Sequence, residues 1–201
     1  ARSAMMQGEN GGIVMPAFEI QEARTLEHFA ALSRIHALAW HSAYAGIIPQ
    51  SYLDREITLD RWIPFFQSGA EEGTCQGLLL LRDGEPVCSG SFGPARLGGD
   101  FGTGDSNPHL GWGEIISLYT LPGETGKGYG SQLLEEMVCR LGGVGCPGCL
   151  LYVLRENPGA RRFYERHSFH WDGFQAQVPL QPDVVCADLR YVRTFEGRGA
   201  P

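Results

Sequence analysis

A glycine-rich stretch between two apolar segments, SLYTLPGETGKGYGSQLLEEM (residues 117–137), has the composition of an anion-binding turn. Its first part favours a strand that Pro122 ends, and residues 133–138 have the apolar spacing of a helix. Glycines at positions 123, 126, 128 and 130 let the main chain approach a ligand closely. The first N–H groups of a helix lack intrahelical partners, and the helix dipole adds positive charge there. The stretch therefore predicts a site for a phosphate-bearing ligand.

Two common phosphate-binding signatures do not fit this stretch. A P-loop needs an earlier glycine where this chain has Leu121, and Ser or Thr where it has Gly128. The dinucleotide fingerprint, started at Gly126, meets Ser131 at its last glycine position. It also belongs to an early βαβ unit, whereas this loop lies past the middle of the chain. These mismatches therefore argue against a protein that binds ATP or a dinucleotide through this loop.

The segment TGKGYG (residues 125–130) resembles the acyl-CoA binding motif of the GNAT superfamily of N-acyltransferases, Arg/Gln-x-x-Gly-x-Gly/Ala. Gly128 and Gly130 match its two small-residue positions, and Thr125 stands where the family usually has Arg or Gln. The segment NPGARRFYERHSF (residues 157–169) is similar to a second element of the family, with Ser168 in place of a glycine.

Two further segments extend the resemblance over nearly the whole chain from about residue 17. Residues 38–54, LAWHSAYAGIIPQSYLD, resemble the first-helix segment of a bacterial subgroup, Trp-x-x-x-Tyr-x-Gly-x-x-Pro-x-x-Tyr-Leu. Residues 187–195, ADLRYVRTF, resemble its closing strand. The resemblance implies an α/β (mixed α+β) domain with the acyl-CoA N-acyltransferase fold. In that fold helices flank a central mixed, mostly antiparallel sheet, and a parallel pair splays apart at the CoA site.

The implied activity is transfer of an acetyl group from acetyl-CoA to a primary amine, by direct attack in a ternary complex. A small-molecule or peptide amine would be the acceptor, and no metal would take part. A second hypothesis is a non-catalytic module on the same fold that binds CoA or an acyl-CoA as a sensor. Thr125 and Ser168, which depart from the family pattern, are the features that favour this alternative.

The resemblance also implies the catalytic groups. Glu114 lies eleven residues before the first motif position, where the family often has its base, and it would act directly or through water. Tyr164 of the Phe-Tyr pair would donate a proton to the departing sulfur. The alternative for Glu114 is a strand-end glutamate that is solvated or salt-bridged, and the alternative for Tyr164 is a half-buried helix aromatic with its hydroxyl in solvent. His109 and His170 are further candidate bases, since imidazole titrates near neutral pH.

The cofactor and acceptor sites follow from the same resemblance. The main chain of the strand would bond the pantetheine arm, with the Thr120 N–H as oxyanion donor. Trp40 and Tyr44, four residues apart on one helix face, would border the acceptor, although core packing explains them equally well. The residues implied to hold CoA are Leu118, Tyr119, Thr120, Thr125, Gly126, Lys127, Gly128, Tyr129, Gly130, Ser131, Asn157 and Ala160.

The elements that must position these residues are predicted from periodicity and turn signals, independently of the resemblance. Thr25 is predicted to be the N-cap of the first helix, and Asp83-Gly84 is predicted to form a two-residue hairpin turn. Pro64 is predicted to limit the end of the second helical region. Alternation predicts Glu114 on one face of its strand with residues 116, 118 and 120. The predicted strands cover 17–23, 76–82, 85–92, 113–120, 149–154, from 169 onward and 184–195, and the predicted helices cover 25–44, 51–67 (in one piece or two), 130–141 and 157–167.

Composition fits one globular domain of 201 residues, with 43% apolar and 19% charged side chains. We expect residues 1–16 to be unstructured or vector-derived, residues 17–196 to form the domain, and residues 197–201 to be a tail. The formal net charge of −7 disfavours nucleic acid and suits a cationic substrate. Asp100 and Asp105, in a long loop at 93–111, are loop acids that would attract a cation or simply be solvated.

Six cysteines include one CPGC pair, Cys146 and Cys149, but no second pair at zinc-site spacing. Free thiols are therefore favoured over a metal site. The absence of a secretion signal or of a membrane-length apolar run favours a cytoplasmic protein without membrane contact, as a monomer or homodimer.

Overall fold

The computed structural model describes residues 17–96, 109–181 and 184–195. Within these residues, seven strands form one sheet in the order β1-β2-β3-β4-β5-β7-β6. The strands are β1 Phe18–Glu22, β2 Gln76–Arg82, β3 Glu85–Pro94, β4 Gly113–Thr120, β5 Gly148–Leu154, β6 His170–Gln181 and β7 Val184–Thr194. The helices are α1 Leu26–Ala43, α2 Gln50–Glu56, α3 Ile63–Glu72, α4 Tyr129–Gly143 and α5 Pro158–Arg166.

The sheet is antiparallel except where β4 runs parallel to β5. These two strands pair only at Gly113 with Cys149 and at Glu114 with Leu150. Beyond these two pairs, β4 and β5 do not pair with each other. The predicted fold class, including the splayed parallel pair, is confirmed. The separation leaves one edge of β4 without a neighbouring strand from residue 115 onward.

Helices cover both faces of the sheet, so its central strands are apolar on both sides. In β2, Leu78 and Leu80 pack in the cluster that includes α4, and Leu79 packs in the cluster that includes α1 and α3. This is the alternation of a pleated strand, in which neighbouring side chains point to opposite faces. The two clusters hold the sheet rigidly between the helices that border its open edge.

Local sequence signals account for several element boundaries. The hydroxyl of Thr25 accepts a hydrogen bond of 3.3 Å from the His28 N–H and caps α1 as predicted. Asp83 and Gly84 have φ values of 53° and 84°, as the predicted two-residue hairpin turn requires. The prediction for Pro64 is wrong. It lies in the first turn of α3, where a proline costs no helical hydrogen bond, so it begins a helix instead of ending one.

An irregularity in β4 overturns the predicted alternation. Ser91 pairs with Ser117 and Phe92 with Ile115, so Ile116 is an extra residue on β4. Leu118 packs in the α4 cluster, while Ile116 and Tyr119 pack in the α1 cluster. Glu114 therefore shares its side of the sheet with Tyr119, and not with residues 118 and 120 as the regular pleat predicted.

Several predictions lie outside the described residues: the terminal segments, and most of the loop at 93–111 with Asp100 and Asp105. Among the helices of the described ranges, none is long and apolar enough to cross a membrane.

Gly93, the β3 partner of Glu114, has no side chain and lets the main chain of Thr74 lie close to β3. A Cβ at this position would overlap the carbonyl oxygen of Thr74, which belongs to the main chain and cannot move aside cheaply. We expect Gly93→Ala to lower the free energy of unfolding by about 1–3 kcal/mol, the usual range for overpacking. Urea denaturation measures this change.

Gly143→Ala is the matched control, because a Cβ at Gly143, the last residue of α4, meets no atom within 4 Å. This variant should be as stable as the parent or slightly more so, since Ala is the better helix former. Equal stability of the two variants would contradict the packing role of Gly93.

Candidate active site

Two cavities meet where β4 and β5 diverge. The large cavity, of about 620 Å³, extends from the open edge of β4 to the glycine turn and α5. The small cavity, of about 270 Å³, lies on the α1 side of the sheet. The two share the lining residues Tyr44, Ile116, Ser117, Tyr119 and Tyr152. A ligand in one cavity can therefore contact a ligand in the other.

The glycine turn closes one end of the large cavity. Gly126 and Gly128 have φ values of 79° and 88°, in the left-handed region that glycine adopts without strain. Gly128 is the N-cap of α4 and offers no capping side chain, and the first helical hydrogen bond runs from the Gln132 N–H to the Gly128 carbonyl. The N–H groups of the first turn are thus available to an anion, as the sequence predicts.

Most of the residues predicted to hold CoA are brought together in this cavity. The exception is Lys127, which does not line the cavity and whose Nζ pairs with the lining residue Glu124 at 2.9 Å. Glu124 also accepts a 2.6 Å hydrogen bond from Arg82, which ties the turn to β2. The predicted residues that line the cavity are Leu118, Tyr119, Thr120, Thr125, Gly126, Gly128, Tyr129, Gly130, Ser131, Asn157 and Ala160.

The α5 side of the large cavity carries Asn157 and Tyr164. The Asn157 side chain accepts a 3.0 Å hydrogen bond from the Ala160 N–H and caps α5, so it is a helix cap that also faces the cavity. Burial raises the pKa of Tyr164 well above the usual range of a phenol. Its hydroxyl is therefore protonated at neutral pH.

A network that the sequence analysis missed orients Ser131 in the first turn of α4. The Ser131 hydroxyl lies 2.9 Å from Nε2 of His167, and Nδ1 of His167 lies 3.1 Å from a Glu135 carboxylate oxygen. Glu135 also pairs with Arg193 at 2.8 Å. Ser131 and Glu135 are both on α4, but His167 follows α5 and Arg193 is on β7, so spacing along the sequence could not reveal the network. Their effect is to hold the Ser131 hydroxyl at the anion end of the large cavity.

Aromatic rings form one wall of the small cavity. The Trp40 indole N–H donates to the Tyr119 hydroxyl at 2.9 Å, and the Tyr44 and Tyr119 hydroxyls lie 3.3 Å apart. His36 stacks on Trp62 with ring centroids 3.9 Å apart. The predicted acceptor residues Trp40 and Tyr44 are therefore in this wall, and they also pack in an adjoining core cluster. We call His36, Trp40, Tyr44, Trp62 and Tyr119 the aromatic wall.

His36 is a buried imidazole that cannot serve as a base. Its burial, with repulsion from Arg61 as a second cause, lowers its pKa to about 3. Its Nδ1 has no hydrogen-bond partner among the described residues. The ring is therefore neutral at physiological pH and contributes a polar edge to the aromatic wall.

Glu114 lies in the small cavity and is only 1% exposed. Its carboxylate is bound by Arg96, which donates its main-chain N–H at 3.0 Å and its Nε at 3.1 Å to one oxygen. The other oxygen pairs with the Arg96 Nη2 at 2.5 Å. A carboxylate needs an open lone pair to accept a proton, and these bonds occupy both oxygens. Its role as a base stays a prediction.

Asp188 of β7 is a second carboxylate in the small cavity, and the sequence analysis missed it. Burial, with repulsion from Glu156 as a second cause, raises its pKa from 3.8 to about 6. It makes no hydrogen bond or ion pair with any described residue. A lone Asp in a strand gives no sequence signal, because its importance comes from the strands that meet around it.

The other candidate bases and the cysteine pair lie away from both cavities. His109 lies 3.3 Å from an Asp172 oxygen and packs on Trp112, and His170 is exposed on β6. Cys146 and Cys149 are free thiols. Across the ranges that the structure describes, no three His, Cys, Asp or Glu side chains are arranged to hold a metal ion.

A curated relative is the mycothiol acetyltransferase of Mycobacteroides abscessus, which is 28% identical over 163 residues. The match covers 77% of this chain and 48% of that protein. This chain therefore spans about half the length of the curated relative it matches.

Solved structures with the same fold include acetyltransferases of several organisms. The PaiA N-acetyltransferase of Thermoplasma acidophilum, in complex with coenzyme A, has a TM-score of 0.66 at 18% identity. The match covers 89% of this chain and 99% of that protein chain. The structure of yncA of Salmonella typhimurium, with acetyl-CoA, has a TM-score of 0.64 at 18% identity. That match covers 92% of this chain and 98% of the yncA chain. The ribosomal-protein-alanine N-acetyltransferase of Brucella melitensis has a TM-score of 0.66 at 20% identity and covers 88% and 99%.

The family model for the acetyltransferase (GNAT) family matches residues 32–169. That match takes in most of α1, the unpaired edge of β4, the glycine turn and α5, which together enclose the large cavity. This chain belongs to the GNAT acetyltransferase family.

Proposed function

We propose that this chain transfers an acetyl group from acetyl-CoA to a primary amine by direct attack within a ternary complex. The observation that carries the proposal is the meeting of the two cavities along residues 116–119 of β4. The large cavity has the size of an ordinary ligand pocket and an anion-binding end. The small cavity has carboxylates and an aromatic wall, which suit an amine.

Acetyl-CoA would lie along the open edge of β4 with its pyrophosphate on the first turn of α4. The Leu121 N–H bonds the Val87 carbonyl of β3, and N–H groups of successive strand residues point to opposite edges. The Thr120 N–H therefore faces the open edge, where it would bond the cofactor or the oxyanion. The coenzyme A and acetyl-CoA in two structures of the same fold support this choice of donor.

The reaction requires a proton acceptor, a nucleophile and a proton donor. The ammonium loses a proton to a carboxylate of the small cavity, and the free amine attacks the thioester carbonyl. The oxyanion is stabilised by the main chain of β4. When the C–S bond breaks, Tyr164 donates its proton to the thiolate. Glu114, the sequence-predicted acceptor of the first proton, would act through water because Arg96 bonds its oxygens.

The alternative function is a sensor that binds CoA or acetyl-CoA without turnover. Release of CoA thiol from acetyl-CoA in the presence of a panel of primary amines tests the proposal against it. Thiol release that depends on both the protein and the amine supports the enzyme. Tight acetyl-CoA binding with no thiol release for any amine would favour the sensor.

Tyr164→Phe removes the predicted proton donor and keeps the ring. We expect kcat to fall by about 10²–10⁴-fold, the usual contribution of a general acid, with the acetyl-CoA Kd unchanged. Steady-state kinetics and calorimetric titration measure the two quantities. Tyr52→Phe is the control, because Tyr52 is a buried tyrosine of α2 that lines neither cavity. Parental kcat in the Tyr164 variant would remove this residue from the mechanism.

Gly128→Glu tests whether the glycine turn holds the phosphates. A negative side chain at the anion end should weaken acetyl-CoA binding at least tenfold, as measured by calorimetric titration. Gly145→Glu is the matched control, since Gly145 has a similar φ of 92° and lines neither cavity. It introduces the same charge and comparable backbone strain. An equal effect of the two substitutions would show that strain, and not the phosphate site, is responsible.

A further inference from the structure

We infer that Asp188 holds the acceptor amine as an ammonium ion and takes its first proton, and that the acceptor is a compact primary amine with an apolar or aromatic body. This inference rests on the proposed function and deepens it. It assigns the proton to a carboxylate other than the predicted Glu114.

Three strands place Asp188 at the small cavity. On β7 it pairs with Leu154, the last residue of β5, and with Ala176 of β6. Leu154 lies beyond the point where β5 has separated from β4, so the Asp188 side chain lines the space that this separation opens. Tyr44 and Tyr119 line the same cavity. Burial raises the pKa of both phenols, and the nearby Asp188 charge adds a smaller increase in the same direction. These tyrosines also line the large cavity, where the thioester would lie.

The Asp188 carboxylate lacks the cationic partner that two other acids of this protein have. Glu114 is paired with Arg96, and Asp172 is paired with Arg190 at 2.7 Å. Asp188 makes no ion pair or hydrogen bond with the described residues, and it is half-buried. An unpaired charge in such a place costs stability, and a cationic ligand would recover that cost.

The charged and titratable groups around Asp188 favour a cation from outside the protein. Glu156, which follows β5, repels its charge, and the adjacent Arg96 is already bound to Glu114. His36 is neutral at physiological pH. A carboxyl with a pKa of about 6 is charged at pH 7.5 and is a stronger base than an ordinary aspartate. The groups that line the cavity with it are His36, Tyr44, Arg96, Glu114, Tyr119, Tyr152 and Cys186.

The remaining lining defines the body of the acceptor. Trp40 and Tyr44 offer ring surfaces that attract an ammonium or pack on an apolar group, and Ile48, Val178 and Leu180 are aliphatic. The volume of about 270 Å³ lies just below the usual range for ligand pockets. A compact amine fits these walls better than a long polyamine, which would need several carboxylates along its length.

The proton balance of the reaction is complete with Asp188 and Tyr164. The ammonium gives one proton to Asp188, which passes it to solvent after the product leaves. The amine nitrogen forms the C–N bond, and the C–S bond breaks as Tyr164 protonates the sulfur. The nitrogen then loses a second proton, which the Tyr164 phenolate accepts, so that the tyrosine is restored to its neutral form. The products are the N-acetyl amine, CoA thiol and one proton in solution.

Asp188→Asn is the test, with benzylamine, 2-phenylethylamine and n-hexylamine as probes and benzyl alcohol as the neutral control. In the parent, kcat/KM for the amine should rise with pH through about 6, as Asp188 ionises. In the variant we expect kcat/KM to fall by about 10²-fold or more and this rise to disappear. The acetyl-CoA Kd should stay unchanged.

Two further variants separate Asp188 from its neighbours. Glu156→Gln removes the repelling charge from a side chain outside the cavity, so the rise in kcat/KM should move to lower pH while its plateau is kept. In the Glu114→Gln variant, kcat/KM should still rise near pH 6, even if its absolute value changes. Loss of that rise in the Glu114 variant and its retention in Asp188→Asn would give the proton to Glu114.

Thermal unfolding provides a readout that does not depend on activity. A carboxyl whose pKa is raised in the folded state destabilises the fold above its unfolded pKa, since the folded state resists its ionisation. Asp188→Asn should therefore raise Tm by a few degrees at pH 8 and leave it unchanged near pH 3, where both states are protonated. A lower Tm at pH 8 would show that Asp188 has a structural partner, against the inference.

The outcomes distinguish this inference from the proposed function. Parental kcat/KM and pH profile in Asp188→Asn would overturn the role of Asp188 while acetyl transfer stands. Acetyl-CoA binding by the parent without binding or turnover of any of the three amines would overturn the acceptor class. Failure of the parent to bind acetyl-CoA would overturn both.

Discussion

The separation of β4 from β5 after two residue pairs is the constraint on which the site depends. A strand edge without a neighbour leaves main-chain N–H and C=O groups unpaired, which is costly unless a ligand bonds them. Here the exposed edge forms the floor of the large cavity, and the bulge at Ile116 turns Tyr119 toward the small one. The interruption of the sheet and the binding surface are thus one feature, and α1, α4 and α5 enclose it.

The ion pair between the buried Glu114 and the partly exposed Arg96 lies at the point where the strands separate. A buried ion pair contributes little net stability, but removal of one partner leaves an uncompensated charge. We interpret this pair as a fixed polar junction that ends the β4–β5 ladder. Asp188, across the same cavity, lacks a partner among the described residues and is thereby free to bind a cation. Two carboxylates in one cavity thus have opposite roles because only one of them has an arginine.

The strand, turn and helix pattern predicted the large cavity well, since a glycine turn before a helix is a local feature. Thr25 and Asp83 act through neighbours within three residues and were predicted for the same reason. The small cavity could not be predicted in this way. Asp188 becomes important only through β5 and α1, and the Ser131–His167–Glu135 network joins α4 to the end of α5. The β4 bulge defeated the alternation rule because one inserted residue reverses every later side chain.

The decisive experiment is calorimetric titration of the protein with acetyl-CoA, followed by addition of a primary amine and a thiol-release assay on the same sample. We expect acetyl-CoA to bind in the micromolar range, about −8 kcal/mol, ATP and NAD not to bind, and CoA thiol to be released only when the amine is present. If acetyl-CoA did not bind, the open edge of β4 and the glycine turn would not be a site for this donor, and acetyl transfer would be refuted.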